Sequence, residues 1–191
     1  MGRELPNRFW TDHGGIRLEM ENNVWLIGFM ASGKSTIGRR LASELECSFV
    51  DLDVRIEQQA GRTIPELFSV GEEHFRLIEA EALRRTAEGE GQVIATGGGI
   101  VNLRENRDVL RHCAKNGDAV IWLRVDGSEV LCRALGSVRR PLLETDEPEV
   151  TVKRLLAIRD PLYREVSSYV IDTTGRTIAD ICDELLTQLR K

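Results

Sequence analysis

Two kinds of hydrophobic pattern alternate along most of this chain. Short continuous apolar runs predict buried strands at Val24–Ile27, 48–50, 92–96, 119–123 and Tyr169–Asp172. Between them, apolar residues recur every three or four positions, which predicts helices at 37–45, 54–60, 72–88, 103–115, 128–135, 150–166 and 177–189. A further short helix is predicted from Thr63, because Thr63 and Glu66 have the spacing of a capping box.

The order of these elements predicts the fold class. Strands that alternate with helices form an α/β domain, in which helices cover both faces of a mostly parallel sheet. Ligands bind such sheets at the carboxyl ends of the strands. The first three strands run into Gly28, Asp51 and Gly97, so we expect these residues to lie on one rim. The pattern indicates neither an internal repeat nor a second domain.

Two segments lack both patterns. The first 23 residues are polar and are interrupted by Pro6 and by Gly14 and Gly15. We therefore expect an N-terminal extension without fixed structure, outside a folded domain at 24–191. Residues from about 136 to 148 contain one glycine, two prolines and mixed charge. Because a loop of this length often covers an active site, we expect 136–148 to form a lid.

Composition narrows the functional classes. The chain has 191 residues, of which 41% are hydrophobic and 30% charged, as in one globular domain. Its net charge of −5 argues against nucleic-acid binding, which usually needs a basic face, but allows a small anionic ligand. The four cysteines form no C-x-x-C pair and no zinc spacing, which favours reduced thiols in a cytoplasmic protein. No apolar run reaches membrane length.

The segment after the first strand fits the phosphate-binding pattern G-x-x-x-x-G-K-S/T, as GFMASGKS from Gly28 to Ser35. Glycines let successive backbone N–H groups converge on an anion, and the helix that follows adds its positive end. We expect Lys34 to reach the β- and γ-phosphates from a solvent-filled nest, and Ser35 to offer a hydroxyl to Mg²⁺. The strand–loop–helix context argues against the alternative, a glycine-rich turn with a surface lysine.

Asp51 and Asp53 lie where the second strand ends. Alternate residues of an extended chain point to the same side, so both carboxylates could face the phosphate loop. One could hold Mg²⁺ through water, while the other accepts a proton from a hydroxyl nucleophile. The alternative is a helix N-cap followed by an acidic residue in the first turn. We favour the functional interpretation because a phosphate loop lies at the same rim.

Glycines and arginines indicate a second binding site. Gly97 to Gly99 directly follow a strand, where they let a ligand approach the backbone; a loose turn is the alternative. Arg159 falls within the apolar stripe of its helix, so it is extended to solvent, paired with a buried acid or bound to an anion. An anion-binding Arg159 should be hydrated in an open cleft. For Arg76 the alternative is an ordinary ion pair with Glu79.

Together these motifs resemble the shikimate kinase family from about Val24 to the C-terminus. The segments that carry the resemblance are LIGFMASGKSTIG, DLD, AGRTIPELF, EEHFRLIE, ATGGG, RRPLL and IRDPLYRE, in the family's order and spacing. The resemblance implies a P-loop NTPase-like three-layer sandwich with a five-stranded parallel sheet in the order 2-3-1-4-5 and a lid. It further implies transfer of the γ-phosphoryl group of ATP to the 3-hydroxyl of shikimate, with Mg²⁺ as cofactor. The expected partners are these small molecules, with no nucleic acid and no membrane, and the expected state is a monomer.

The resemblance also implies a nucleotide site and a metal site. The expected nucleotide-binding residues are Ala31, Ser32, Gly33, Lys34, Ser35, Thr36, Arg133, Arg140 and Arg176. Among them, Arg133 would stack on adenine, Arg176 would lie near it, and the lid residue Arg140 would hold the transferring phosphoryl group. Ser35 would ligate Mg²⁺, with Asp51 behind it through water.

The acceptor site is implied in the same way. The expected acceptor-binding residues are Asp53, Arg76, Gly98, Gly99 and Arg159. The two arginines would hold the carboxylate of the acceptor, and Asp53 would bind its hydroxyl as a base or orienting residue. The expected catalytic residues are Asp53, Lys34 and Arg140.

One position departs from the family pattern, which commonly has glycine where this chain has Ala31. If that position needs a positive φ, a Cβ is costly there, and we expect a modest change in ATP affinity. Two other functions stay open: a gluconate-type sugar-acid kinase and a nucleotide-binding regulator without catalysis. The full motif set argues against the first, and the joint presence of Lys34, Ser35, Asp53 and Arg159 argues against the second.

Overall fold

The computed structural model describes residues 10–12, 18–135 and 147–190. These residues form seven strands and eight helices, which are joined by loops. The strands are β1 (Trp10–Asp12), β2 (Leu18–Met20), β3 (Val24–Ile27), β4 (Ser48–Asp51), β5 (Gln92–Ala95), β6 (Ala119–Arg124) and β7 (Tyr169–Asp172). The helices are α1 (Lys34–Glu44), α2 (Leu52–Ala60), α3 (Ile64–Val70), α4 (Glu72–Ala87), α5 (Arg104–Lys115), α6 (Gly127–Leu135), α7 (Pro148–Val166) and α8 (Ile178–Leu189).

Five parallel strands form the central sheet, in the order β4-β5-β3-β6-β7. Counted along the chain within this sheet, the order is 2-3-1-4-5, so the predicted topology is confirmed. The register places Leu26 of β3 opposite Ala95 of β5 and Ile121 of β6. The carboxyl ends of these strands are therefore level, and the loops that follow them share one rim of the sheet.

Hydrophobic side chains pack on both faces of this sheet. On one face, Trp25 and Ile27 of β3 contact a cluster contributed by α2 to α7. On the other, Val24 and Leu26 contact a cluster contributed by α1 and α8. Because all four residues of β3 are fully buried, this strand is a continuous apolar run, as expected for a parallel strand covered on both faces. The result is the predicted three-layer sandwich.

The N-terminal extension contains secondary structure that the sequence did not predict. Strands β1 and β2 pair antiparallel, with Thr11 opposite Glu19, and form a sheet of their own. Strands of three residues are too short to show a recognisable alternation of apolar and polar residues. The domain boundary at residue 24 stays a prediction.

The predicted lid falls largely outside the described residues. Helix α7 begins at Pro148, two residues before its predicted start, because proline suits the first turn of a helix. Residues 136–146, with Arg139 and Arg140, are not described, so the lid and the role of Arg140 stay predictions.

The predictions about the cysteines and about membrane helices can also be compared with the structure. All four cysteines are free, and burial raises the pKa of the Cys113 thiol to about 12, which makes it unreactive. Within the described ranges, no helix has both the length and the apolar character needed to cross a membrane.

Candidate active site

The phosphate loop joins β3 to α1 at the carboxyl end of the central strand. Ala31 and Gly33 are both left-handed, with φ of 60° and 93°. Left-handed residues at alternate positions turn neighbouring N–H groups toward one point, which forms an anion-binding nest. The position where the family commonly has glycine therefore does require a positive φ. Ala31 adopts it at a cost of about 1–2 kcal/mol.

Lys34 begins α1 and folds back onto the loop. Its side chain is buried at 9% exposure, and its ammonium group donates to the carbonyl oxygens of Gly28 and Phe29 at 2.8 Å each. Lys34 lines a cavity at the loop, as expected, but its ammonium group bonds loop carbonyls instead of extending into solvent. A buried charge must keep hydrogen-bond partners, and these carbonyl groups supply them.

Ser35 and Asp51 lie side by side, as the metal prediction requires. The Ser35 hydroxyl donates to Oδ2 of Asp51 at 2.7 Å. Asp51 occupies the N-cap position of α2 and Asp53 lies in its first turn, as the capping alternative predicted, but the Asp51 side chain makes no capping hydrogen bond. Within the described ranges no three His, Cys, Asp or Glu side chains form a metal-binding group. Two protein oxygens nevertheless suit Mg²⁺, which keeps water and takes phosphate oxygens as further ligands.

Asp53 lies in the first turn of α2 and contacts the turn after β5. A Cβ on Gly97 would lie 2.8 Å from Oδ1 of Asp53 and 3.1 Å from Oε1 of Glu79, so a larger residue there would displace both carboxylates. Burial raises the pKa of the Asp53 carboxyl, the charge of Asp51 raises it further, and the charge of Lys34 opposes both. Asp53 thus binds a proton more tightly than an exposed aspartate, which suits a general base.

Arg76 on α4 is held by two carboxylates. Its Nη1 donates to Oε2 of Glu79 at 2.8 Å, and its Nη2 donates to Oε1 of Glu72 at 3.1 Å. Glu79 is 1% exposed, and burial raises the pKa of its carboxyl despite the neighbouring Arg76 charge. The ion-pair alternative for Arg76 was therefore correct as a description of the structure. Its guanidinium also packs on the turn, since a Cβ on Gly99 would lie 2.5 Å from Nη1.

Arg159 on α7 has a different environment. Its Nη1 donates to the Gly98 carbonyl at 3.3 Å, and its guanidinium lies 5.6 Å from the centre of the Phe29 ring. At 6% exposure it is not hydrated in an open cleft, so that expectation was wrong. Among the described residues no carboxylate forms an ion pair with Arg159, but its charge lowers the pKa of the buried Glu79 carboxyl against the effect of burial. The buried-acid alternative is therefore supported as an interaction at longer range, not as a direct pair.

Sequence reasoning missed Tyr163. Its hydroxyl donates to the same Gly98 carbonyl that Arg159 contacts, and burial raises the pKa of this phenol. Its ring stacks against Trp122 with the ring centres 5.8 Å apart. The available signal was its spacing, because a residue four positions after Arg159 lies on the same helix face.

One cavity of about 540 Å³ connects several of these groups. Its lining includes Asp53, Gly98 and the phosphate-loop residues from Met30 to Ile37. The same cavity is also lined by Glu129, Arg133, Arg176, Ile178 and Ile181. The structure thus brings the predicted nucleotide residues of the described ranges together with Asp53. Arg76, Gly99 and Arg159 do not line this cavity. Gly99 belongs to the triglycine turn, residues 97–99, and the two arginines contact that turn.

Protein groups hold both arginines that line the cavity, Arg133 and Arg176. Arg176 donates to Oε2 of Glu184 at 2.7 Å, and Arg133 donates to the carbonyl of Thr173 at 2.7 Å. These bonds use the edges of the two guanidinium groups. A planar guanidinium can still stack on an aromatic ring through its face.

Comparisons with known proteins point to one family. The family model described as shikimate kinase matches residues 30–190. A shikimate kinase of Marinomonas sp. (strain MWYL1) is 41% identical over 172 residues, 88% of this chain and 92% of the relative. The solved structure of shikimate kinase from Acinetobacter baumannii in complex with shikimate has a TM-score of 0.82 at 38% identity, with 88% of this chain and 93% of that chain covered.

A gluconokinase from Sinorhizobium meliloti 1021 has a TM-score of 0.59 at 20% identity, with 88% of this chain and 91% of that chain covered. This likeness is one of fold alone and does not favour a sugar-acid acceptor. The family inferred from the motifs is confirmed: the chain belongs to the shikimate kinase family.

Proposed function

We propose that this chain transfers the γ-phosphoryl group of ATP to the 3-hydroxyl of shikimate, giving ADP and shikimate 3-phosphate. The observation that carries the proposal is the cavity that joins the phosphate loop to Asp53 and Gly98. A γ-phosphate bound to the loop and an acceptor hydroxyl bound to Asp53 could meet there. Family membership and the shikimate bound to the Acinetobacter relative support shikimate as the acceptor.

The nucleotide end of the site is proposed to work through the loop and its metal. The nest around Ala31 and Gly33 would bind phosphate oxygens, and Lys34 would exchange its two carbonyl partners for them. Ser35 and Asp51 would hold Mg²⁺, which when bound neutralises charge on the β- and γ-phosphates. Arg140 is proposed to complete the phosphoryl site.

Asp53 is proposed to orient the acceptor hydroxyl and take its proton. As the hydroxyl oxygen forms its bond to the γ-phosphorus, the bond from that phosphorus to the bridging oxygen of ADP breaks, and ADP leaves with the electron pair. The raised pKa of Asp53 helps it to accept the proton released in this step. Lys34 would stabilise the negative charge on the phosphoryl oxygens.

The carboxylate of the acceptor is proposed to bind at the triglycine turn. Arg76, Arg159 and the backbone of Gly98 and Gly99 would form this subsite. Arg159 is the stronger candidate for the anion, because two glutamates already balance the charge of Arg76. We further propose a cytoplasmic monomer that has small molecules, but neither nucleic acid nor membrane, as partners; the net charge of −5 supports the lack of nucleic acid.

A coupled ADP-release assay tests the proposal, with shikimate, with gluconate and without acceptor. We expect ADP release that depends on shikimate and on Mg²⁺, and a ³¹P NMR spectrum of the product that assigns the phosphate to the 3-position. Release that depends on gluconate alone would replace the proposal with a sugar-acid kinase. ATP binding without release in any arm would favour the non-catalytic regulator. Lys34→Ala gives the background rate.

A further inference from the structure

Arg133 links the phosphate loop to the sheet. From α6, its Nη1 donates to the Ala31 carbonyl at 3.2 Å, and its Nη2 donates to the Thr173 carbonyl at 2.7 Å. Its Nε donates to Oε1 of Glu129, one turn earlier on the same helix, at 2.9 Å. Thr173 is fully buried after β7, and its N–H donates to the carbonyl of Arg124 at the end of β6. The guanidinium therefore ties the loop to a fixed part of the fold.

Ala31 is the loop residue that most needs such support. A non-glycine residue with φ of 60° persists only where its surroundings hold it. If its peptide units relaxed to a right-handed or extended conformation, the N–H groups on either side would turn away from one another and the nest would open. Arg133 bonds the carbonyl of Ala31 itself, which is the group whose direction changes in that relaxation.

We propose that Arg133 is a positioning residue for the phosphate nest. By holding the Ala31 carbonyl it keeps this residue left-handed, so that the N–H groups converge before a phosphate arrives. The inference rests on the proposed function only in taking a nucleotide as the natural ligand. This role differs from stacking on adenine. Stacking strengthens the binding of the base alone, whereas support of the nest strengthens the binding of any polyphosphate.

The identity of residue 31 makes this proposal specific to the chain. Glycine adopts left-handed conformations without the steric cost that alanine has. With glycine at position 31, the nest would therefore keep its shape without help from Arg133. The two side chains should be energetically coupled, and a double-mutant cycle measures that coupling.

The experiment uses the full chain as wild type, Arg133→Gln, Ala31→Gly and the double variant. Calorimetry gives the Kd of inorganic tripolyphosphate and of ATP for each, with no acceptor present. We expect Arg133→Gln to weaken tripolyphosphate binding about five- to tenfold when Ala31 is retained. The double variant should bind tripolyphosphate less than about twofold more weakly than Ala31→Gly alone. Glycine has none of the strain of about 1 kcal/mol or more that a left-handed alanine carries, so Arg133 has little left to support.

Arg124→Gln is the matched control, because Arg124 ends β6 at the same rim of the sheet but bonds Asp126 and Asp172 rather than the loop. It should leave tripolyphosphate binding unchanged and show no coupling to Ala31→Gly. Thermal melting verifies that each variant is folded; if Arg133→Gln is not, Arg133→Met replaces it in the cycle, because methionine occupies similar space but donates no hydrogen bond to either carbonyl.

Two results would overturn the proposal. One is an equal loss of tripolyphosphate affinity with alanine and with glycine at position 31, and the other is a loss confined to ATP, which would indicate stacking alone. Because tripolyphosphate binding involves no acceptor, a lack of shikimate phosphorylation would leave this test intact.

Discussion

The hydroxyl of Ser35 donates a hydrogen bond of 2.7 Å to Oδ2 of Asp51, and so connects the start of α1 to the end of β4. The two residues belong to different motifs, and only the parallel order of the strands brings them together. The pair gives the phosphate loop two protein oxygens and one negative charge at one point.

Asp51→Asn should therefore weaken the response to Mg²⁺. Asparagine keeps the shape and can still accept the Ser35 hydrogen bond, but it removes the charge that attracts the ion. We expect the Mg²⁺ concentration for half-maximal activity to rise about 10–100-fold, the range found when groups that support a metal ligand are changed. A titration at saturating ATP and shikimate measures it, and Asp183→Asn on the exposed face of α8 is the control. An unchanged Mg²⁺ requirement would remove Asp51 from the metal site.

Asp53→Asn should lower turnover about 10²–10⁴-fold, because asparagine can orient the hydroxyl but cannot take its proton. The pH profile gives a second readout. Burial and the charge of Asp51 raise the pKa of Asp53, so wild-type activity should fall with decreasing pH earlier than an ordinary aspartate would allow. The residual activity of the variant should lack this acidic limb. A loss below tenfold with the same limb would assign the titration to another group.

The same substitution should stabilise the protein at neutral pH. The folded state binds the Asp53 proton more tightly than the unfolded state does, so the free energy of unfolding falls as pH rises between the two pKa values. Above that interval the wild type retains the full cost of a buried charge, which Asp53→Asn removes. Thermal melts should give a higher Tm for the variant at neutral pH and no difference below the unfolded pKa. A lower Tm at neutral pH would mean that the carboxylate has a stabilising partner.

The fold, and the meeting of the phosphate loop with Asp53 at one cavity, were predictable because their signals are local. The period of apolar residues identifies strands and helices, and the phosphate-loop motif places the rim where ligands bind. The conformations of Lys34 and Arg159 were not predictable in this way. Lys34 depends on the carbonyls of Gly28 and Phe29, whose direction is set by the conformation of the loop, and Arg159 depends on the carbonyl of Gly98, which the tertiary fold brings to it. A helical pattern can place an arginine in an apolar stripe, but it cannot tell which backbone oxygen will face it.

Lys34→Ala should abolish phosphoryl transfer and also lower stability. The ammonium group serves the charge that develops on the phosphoryl oxygens, so we expect a loss of about 10²–10³-fold or more. In the free protein the same group donates hydrogen bonds to two carbonyls of the loop. Loss of these hydrogen bonds should lower the free energy of unfolding by about 1–3 kcal/mol. Lys115→Ala at an exposed helix end is the control. Turnover near the wild-type value would contradict the assignment, whatever the Tm.

Arg159→Ala should weaken acceptor binding and spare ATP binding. Hydrogen bonds to a charged group contribute about 1.5–3 kcal/mol, so the KM for shikimate should rise about 10–100-fold. Because Arg159 forms no direct ion pair among the described residues and acts on Glu79 only through its charge, the stability loss should stay below the roughly 3–5 kcal/mol expected for breaking a buried ion pair. Arg159→Lys should also bind poorly, since lysine cannot offer two parallel donors to a carboxylate. Arg154→Ala on the exposed face of α7 is the control. A large fall in Tm with unchanged KM would exclude Arg159 from the acceptor site.

Glu72 should compete with the acceptor for Arg76. One of its oxygens accepts from both Nε and Nη2 of Arg76, at 3.3 Å and 3.1 Å, which is the edge that a substrate carboxylate would use for a two-point contact. The Glu72 side chain is 66% exposed and can rotate into water when it is displaced. Even an acceptor bound at the opposite edge would be repelled by its charge, so removing that charge should help acceptor binding in either geometry.

Glu72→Gln should therefore lower the KM for shikimate about two- to fivefold, which corresponds to about 0.4–1 kcal/mol and to the usual strength of an exposed ion pair. The KM for ATP should not change. Glu73→Gln makes the same change of charge one residue away, on a side chain without this contact, and should have a smaller effect. The methyl ester of shikimate provides a second control, because a neutral acceptor has no charge for Glu72 to repel and its weak binding should not improve. If Glu72 instead holds Arg76 in the orientation that binds the acceptor, the KM for shikimate will rise in Glu72→Gln. The direction of that one change decides between competition and positioning.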